Sequence, residues 1–259
     1  IWEVLNNGSR ERDTYGWSDA DWCRYICDEM ADEQRLPAGM ATSHVTLDRG
    51  HHGMRLADFV AHPIAVAAQL DTAQVLALRL YTSSVYRTIN RHLRRGCSLE
   101  TPHPFPALVA HLTEALKQLR AAALDQSGNK TGSRTLWRGV RHMGVRAEFM
   151  ERGGTESGLM STTSDRDVAE AFATRADENG VPQYSLLFKV VVDHFLHCGA
   201  DVSFLSCFPE ENEWLFPPNT YLLPSEYDAA EGGVGGVVLE TITTPSGGVL
   251  EVVEVKPSF

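Results

Sequence analysis

The stretch Phe208-Pro209-Glu210-Glu211-Asn212-Glu213-Trp214-Leu215-Phe216-Pro217-Pro218 sets three carboxylates among aromatics and prolines, just before an apolar run. Glu211 and Glu213 are spaced i, i+2, and in an extended segment that spacing puts both side chains on one face. Two like charges that close repel each other, so the spacing predicts that one of the two pKa values rises. Read alone, the same residues also describe a solvated acidic turn ahead of a strand, because structural carboxylates cluster as well. The flanking sequence decides between the two.

Around this stretch the hydrophobic period is that of strands. Thr135 to Val140 reads as a short strand carrying Arg138, Gly153-Gly154 as a turn, and Leu159 to Thr163 as a strand rich in hydroxyls. Ser164 or Asp165 can cap a helix with Val168, Phe172 and Arg175 along one side. Tyr184 to Val192 is a near-continuous apolar strand broken by Lys189. Val202 to Ser206, Glu213 to Phe216, Gly236 to Thr243 and Val249 to Val255 supply further strands, with turns at Gly232-Gly233, Gly235-Gly236 and Pro245-Ser246-Gly247-Gly248.

Further upstream the period becomes helical. Ser18 or Asp19 can cap a helix with Trp22, Ile26 and Met30 on its apolar face, ended by Leu36-Pro37-Ala38-Gly39. Leu56, Phe59, Val60, Ile64 and Ala67 form a second pattern that Pro63 interrupts. Asp71 or Thr72 caps a helix in which Val75, Leu78, Thr82, Val85, Ile89 and Leu93 follow a three-four spacing, until Gly96 stops it. Tyr86 and Asn90 share a face of that helix. Tyr81 lies off their stripe if the helix is regular, and Thr82-Ser83-Ser84 can loosen it there. Pro106 opens another helix with Leu108, Leu112, Ala115, Leu116 and Leu119 buried. The polar connector from Asp125 to Ser133 closes the helical part. The expectation is an α+β protein, helical over residues 1–130 and β-rich over 131–259. No GxGxxG or GxxxxGK[ST] loop is present, so Rossmann and P-loop readings lack their signature.

Composition narrows the class. The 259 residues carry a formal net charge of −11 and are 43% hydrophobic, enough for a core. Beyond Cys207 only Lys256 opposes nine carboxylates, which argues against a nucleic-acid surface on this half. No apolar run reaches the roughly 18 residues of a membrane span. The start, Ile1-Trp2-Glu3, is neither an initiator Met nor a signal peptide, so the expectation is a soluble mature form or excised domain whose compartment is not written in the chain. The five cysteines, Cys23, Cys27, Cys97, Cys198 and Cys207, include no CxxC pair. Cys198 and Cys207 could close a short loop or stay buried thiols. His51-His52 and His194-x-x-His197 lack a third ligand, so no metal is expected.

Taken in order, Arg138 on a strand, Ser161 in Ser-Thr-Thr on a second, and Glu211-x-Glu213 before a third resemble the arginine-specific mono-ADP-ribosyltransferases, including clostridial binary toxins and vertebrate ecto-enzymes. Their pattern is Arg, then Ser-Thr-Ser, then Glu-x-Glu. Phe172 and Arg175, eleven and fourteen residues after Ser161, match an aromatic that packs on nicotinamide and an arginine on the NAD phosphates. Phe208 stands where the family has an aromatic in its acceptor-recognition turn. Tyr81, Tyr86 and Asn90 match a helical Tyr–Tyr–Asn set at the NAD cleft. Thr163 departs from the third position of Ser-Thr-Ser, and Gly158 replaces an Asn that helps bind NAD in some toxins.

The resemblance implies a helical subdomain, with residues 55–125 lining the NAD cleft, packed on a β-sandwich core. It implies NAD as substrate, an acceptor protein as partner, and a monomer without metal or nucleic acid. By that resemblance Arg138 binds the phosphate or ribose portion, and the Gly139 backbone approaches the carboxamide. Ser161 organises the site. Glu213 holds the ribose 2′-hydroxyl against the oxocarbenium-like charge that develops when the nicotinamide bond breaks. Glu211 receives the incoming guanidinium. Two alternatives stay open: an NAD glycohydrolase of the same fold, and a catalytically silent module that binds NAD or a partner.

Overall fold

The computed structural model describes residues 1–27, 47–51, 53–127, 133–175, 184–194, 197–225, 236–244 and 247–259. Met30, Leu36 to Gly39, His52 and the glycines at 232–235 lie outside these residues. Along the first half run α1 (Trp2–Asn7), α2 (Asp19–Cys27), α3 (Leu56–Val60), α4 (Pro63–Ala67), α5 (Thr72–Leu80), α6 (Tyr86–Arg95) and α7 (Pro106–Ser127). Then come β1 (Arg134–Arg141), α8 (Ala147–Arg152), β2 (Gly154–Glu156), β3 (Met160–Thr163), α9 (Arg166–Thr174), β4 (Tyr184–Val192) and β5 (Ala200–Asp201). The chain closes with β6 (Glu213–Phe216), β7 (Thr220–Pro224), β8 (Val238–Thr243) and β9 (Val249–Ser258). The architecture is α+β.

The chain forms two compact units: residues 1–129 with 199–213, and residues 130–198 with 214–259. In the first unit, Asp71 caps α5 by accepting the Gln74 N–H at 2.7 Å, and the Gln74 side chain returns the bond to the Asp71 N–H. Pro63 occupies the first turn of α4 and so separates α3 from α4. Gly96 ends α6 at φ 76°, a conformation costly for any residue with a Cβ.

The helix expected over Val75 to Leu93 is broken where Thr82-Ser83-Ser84 was expected to loosen it. Residues Tyr81–Val85 form one π-type turn, and Ser83 has ψ −178°, outside the helical range. The cause is local: the Ser83 hydroxyl donates to the Leu80 carbonyl at 2.6 Å and accepts the Val85 N–H at 3.3 Å, replacing ladder bonds. The strand expected over Val202 to Ser206 is a 3-10 turn at Ser203–Leu205. Here the Asp201 carboxylate accepts the Ser203 N–H at 3.0 Å, an Asx-type bond that bends the chain.

In the second unit the strands pair in the order β2-β7-β9-β4-β1-β3-β6. β4 runs antiparallel to β1, with Arg138 opposite Phe188, and parallel to β9. β9 is long enough to serve two strands on its other edge: β8 against Val249 to Val253, then β7 against Val255 to Ser258. Leu136, Met160, Leu186, Phe188, Val190, Phe216 and Val253 build the main core, while Leu187, Leu250 and Val252 meet Ala169 and Ala173 of α9. Cover on both faces explains the nearly unbroken apolar run of β4. Its exception, Lys189, pairs with Glu254 at 2.8 Å.

Candidate active site

Strand alternation places Arg138 on the same face of β1 as Leu136 and Val140, while Trp137 and Gly139 face α9. One guanidinium nitrogen of Arg138 donates to the Ser161 carbonyl at 2.8 Å, and another to the Glu156 carboxylate at 3.2 Å. Both side chains of that ion pair are 17% exposed, so the fork is half-shielded and held from two sides. The other Glu156 oxygen accepts the Gly158 N–H at 2.9 Å. Arg138 and Ser161 are thus brought together, and Glu156 ties the approach to β3. Sequence reasoning missed Glu156; the only signal was a carboxylate placed between a Gly-Gly turn and the Ser-Thr-Thr strand.

The hydroxyls of Ser-Thr-Thr divide the work. Thr162 donates to the Trp214 carbonyl at 2.9 Å, which links β3 to β6, and Thr163 accepts the Asp165 N–H at 3.0 Å ahead of α9. Ser161 remains partly exposed.

A Cβ at Gly139 would come within 2.2 Å of the Ala169 carbonyl oxygen and 2.9 Å of the Ala173 Cβ. Glycine at this position is therefore required by the close approach of α9 to β1. Ala169 and Ala173 form the buried side of α9, whereas Phe172 is 46% exposed, with the Arg141 guanidinium 5.0 Å from its ring centroid. Arg175 caps the helix end and is exposed.

In the first unit, the helix break brings Tyr81 and Asn90 together: Asn90 Nδ2 donates to the Tyr81 hydroxyl at 3.1 Å. Nine residues of regular helix would separate these groups by about 13 Å of rise and half a revolution. The Tyr86 ring lies 6.2 Å from that of Tyr81. Asn90 is 3% and Tyr81 2% exposed.

The Glu-x-Glu segment is not extended throughout. Pro209–Glu211 is a 3-10 turn, Asn212 is left-handed at φ 46°, and only Glu213 begins β6. The two carboxylates therefore do not share one strand face. Glu213 is 6% exposed and its carbonyl accepts the Val202 N–H at 3.0 Å. Glu211 is open to solvent, yet surrounding protein strips enough hydration to push its pKa up to about 7. The cause is desolvation, not the repulsion expected from the spacing. Glu210 pairs with Arg49. Phe208 is 9% exposed, its ring stacked on Tyr15 at 6.3 Å and edged by Trp22 at 6.4 Å. Its ring is therefore not presented to an acceptor.

Cys23, Cys97 and Cys207 are free thiols, and burial pushes that of Cys207 up to about 12. Among the described residues no three His, Cys, Asp or Glu side chains group as a metal site would require, and no helix is long and apolar enough to cross a membrane.

Residues 28–243, which include Arg138, Glu156, Ser161, Glu211 and Glu213, match the NAD:arginine ADP-ribosyltransferase family. The chain belongs to that family. Solved structures of other ADP-ribosyltransferases share its fold. Vis toxin from Vibrio splendidus superposes with a TM-score of 0.51 at 18% identity, over 79% of this chain and 82% of that one. HopU1 of Pseudomonas syringae pv. Tomato gives 0.51 at 19% identity, over 95% and 100%. Plx2a from Paenibacillus larvae gives 0.51 at 16%, over 83% and 98%. Comparison with curated protein sequences gave no match. Membership of the ADP-ribosyltransferase family supports NAD as the substrate of this transferase and a protein as its acceptor.

Proposed function

We propose that this ADP-ribosyltransferase breaks the nicotinamide–ribose bond of NAD and transfers ADP-ribose to an arginine of an acceptor protein. The observation that carries the reading is the split environment of Glu211 and Glu213: one carboxylate open to solvent with a raised pKa, the other buried two residues away. Two carboxylates in different surroundings suit two different roles. Glu213 would hold the ribose 2′-hydroxyl and stabilise the cation that develops as nicotinamide leaves. Glu211, poised near neutrality, would accept a proton from the attacking guanidinium.

Arg138 would bind the phosphate or ribose portion of NAD, its fork kept in place by Glu156 and the Ser161 carbonyl. Ser161 would organise the same end of the site, beside the Gly139 backbone. Phe172 offers an exposed aromatic face for nicotinamide, and Arg175 a second cation for the phosphates. From the helical part, Tyr86 and Asn90 would contact NAD. Phe208, buried at the root of the turn that carries Glu211, would hold that turn in place without touching the acceptor.

The test is nicotinamide release from NAD with and without agmatine, beside Glu213→Gln. The expected result is release that rises with agmatine, an ADP-ribosyl-agmatine product, and a loss of about 10²–10³-fold in Glu213→Gln. Release indifferent to agmatine, with free ADP-ribose as the product, would assign a glycohydrolase instead.

A further inference from the structure

The base of the turn that carries Glu211 is fixed by groups from distant parts of the first unit. Arg79 and Asp48 form a two-pronged ion pair at 2.6 and 3.1 Å, with side chains only 4% and 2% exposed. The same Arg79 nitrogen donates to the Leu205 carbonyl at 3.0 Å. The Asp48 N–H donates to the Cys207 carbonyl at 2.7 Å. The Cys207 N–H donates to the Thr82 hydroxyl at 3.0 Å, and the Cys207 thiol reaches the Arg79 carbonyl at 3.6 Å. Tyr25 donates its hydroxyl to Asp48 at 2.8 Å, and the Arg79 guanidinium stacks over Phe59 at 4.2 Å. Next in the chain, Phe208 is stacked on Tyr15 and edged by Trp22. Arg49, beside Asp48, pairs with Glu210.

A buried ion pair is a poor source of stability, because desolvation offsets its attraction, but it is a good source of register. Here its directional bonds end on backbone atoms of Leu205 and Cys207, a few residues before Glu211. Among the described residues the Glu211 carboxylate has no ion pair of its own, so its placement depends on what holds the turn beneath it.

We infer that the Asp48–Arg79 pair, with Tyr15 under Phe208, is a positioning device for the acceptor turn: it sets where Glu211 stands for transfer and leaves NAD cleavage to other residues. The inference rests on the function proposed above.

It is tested in the double variant Asp48→Asn/Arg79→Met, which removes both charges of the pair together, so that neither is left buried without the other. Misplacing a reacting group by about 1 Å can cost about 10²-fold, so the ratio of ADP-ribosyl-agmatine to nicotinamide released should fall by up to that factor. Nicotinamide release itself should stay unchanged. Hydrogen exchange should quicken at residues 205–211 and stay unchanged in β4 and β6. An unchanged ratio, or release and transfer falling together in a folded variant, overturns the inference. If the double variant does not fold, Tyr15→Ala carries the test: a lowered ratio supports the inference and an unchanged ratio overturns it. If the unaltered chain forms no agmatine product, the arginine reading itself has failed. Exchange at 205–211 then decides alone, faster in the variant supporting the anchor and identical overturning it.

Discussion

Glu211 and Glu213 differ in surroundings because one left-handed residue, Asn212, lies between them. A non-glycine residue at φ 46° is uncommon, and asparagine tolerates it better than most. The turn it makes separates an exposed carboxylate from a buried one. The Glu211 pKa, raised from 4.5 to about 7 by desolvation, fixes the sign of a stability effect. Between those values the folded chain holds a proton that the unfolded chain has lost, so Glu211 costs stability as pH rises through about 7 and costs none below about 4.5. Glu211→Gln should therefore melt higher than the parent at pH 8 and equal to it at pH 4. Melting curves at several pH values check this, and a difference that grows toward acid would refute the sign. The same variant should lose transfer to agmatine while keeping NAD hydrolysis; equal loss of both would remove Glu211 from acceptor chemistry. At this scale the sequence was informative about which residues to watch, since motif order named Arg138, Ser161, Glu211 and Glu213. It was silent on Glu156 and misplaced the cause of the Glu211 shift, because partners and solvation come from tertiary contacts.

Elements with a strong period were legible: β4 matches its expected limits from Tyr184 to Val192, and β6 runs from Glu213 to Phe216 as expected. Short elements carried little periodic signal, and α1, α8, β2, β5 and β7 were not anticipated. The break between α5 and α6 shows why. Serines and a threonine are only a weak reason to leave a helix, and the partner that Ser84 finds outside it, Asp13 at 2.6 Å, lies about 70 residues away. Ser83→Ala removes the two bonds that replace the ladder and lets the helix regularise. The expected cost is about 0.5–1.5 kcal/mol of stability, with a raised KM for NAD as Tyr81 and Asn90 part. Urea melts and NAD kinetics measure the two effects; an unchanged KM would take the Tyr81–Asn90 arrangement out of the NAD site. Packing of α9 on β1 gives a sharper case. Gly139→Ala drives a methyl into the Ala169 carbonyl, so α9 must move, at about 1–3 kcal/mol. A melting temperature equal to the parent's would show that the helix yields freely there.

At the scale of the whole molecule, the α+β class was legible because the period changes from helical to extended near the connector. The return of residues 199–213 to the first unit was not, since it is made by Arg79, Thr82 and Asp48 across more than a hundred residues of chain and leaves no periodic trace. Net charge is the whole-molecule property that composition does fix. At −11 the chain should attract a cationic acceptor over distances that salt controls. The screening length shortens from about 30 Å at 0.01 M salt to about 10 Å at 0.1 M, so encounter should slow across that range. Steering of this kind can raise association rates by about 10–10³-fold. The expected outcome is a kcat/KM for transfer to an arginine-rich basic protein that falls steeply with added salt, while kcat at saturation holds. Nicotinamide release without acceptor is the control, because NAD carries phosphates and gains nothing from an acidic surface. A salt-independent kcat/KM, or a fall matched by the acceptor-free rate, would mean that the negative charge maintains solubility and does not recruit the acceptor.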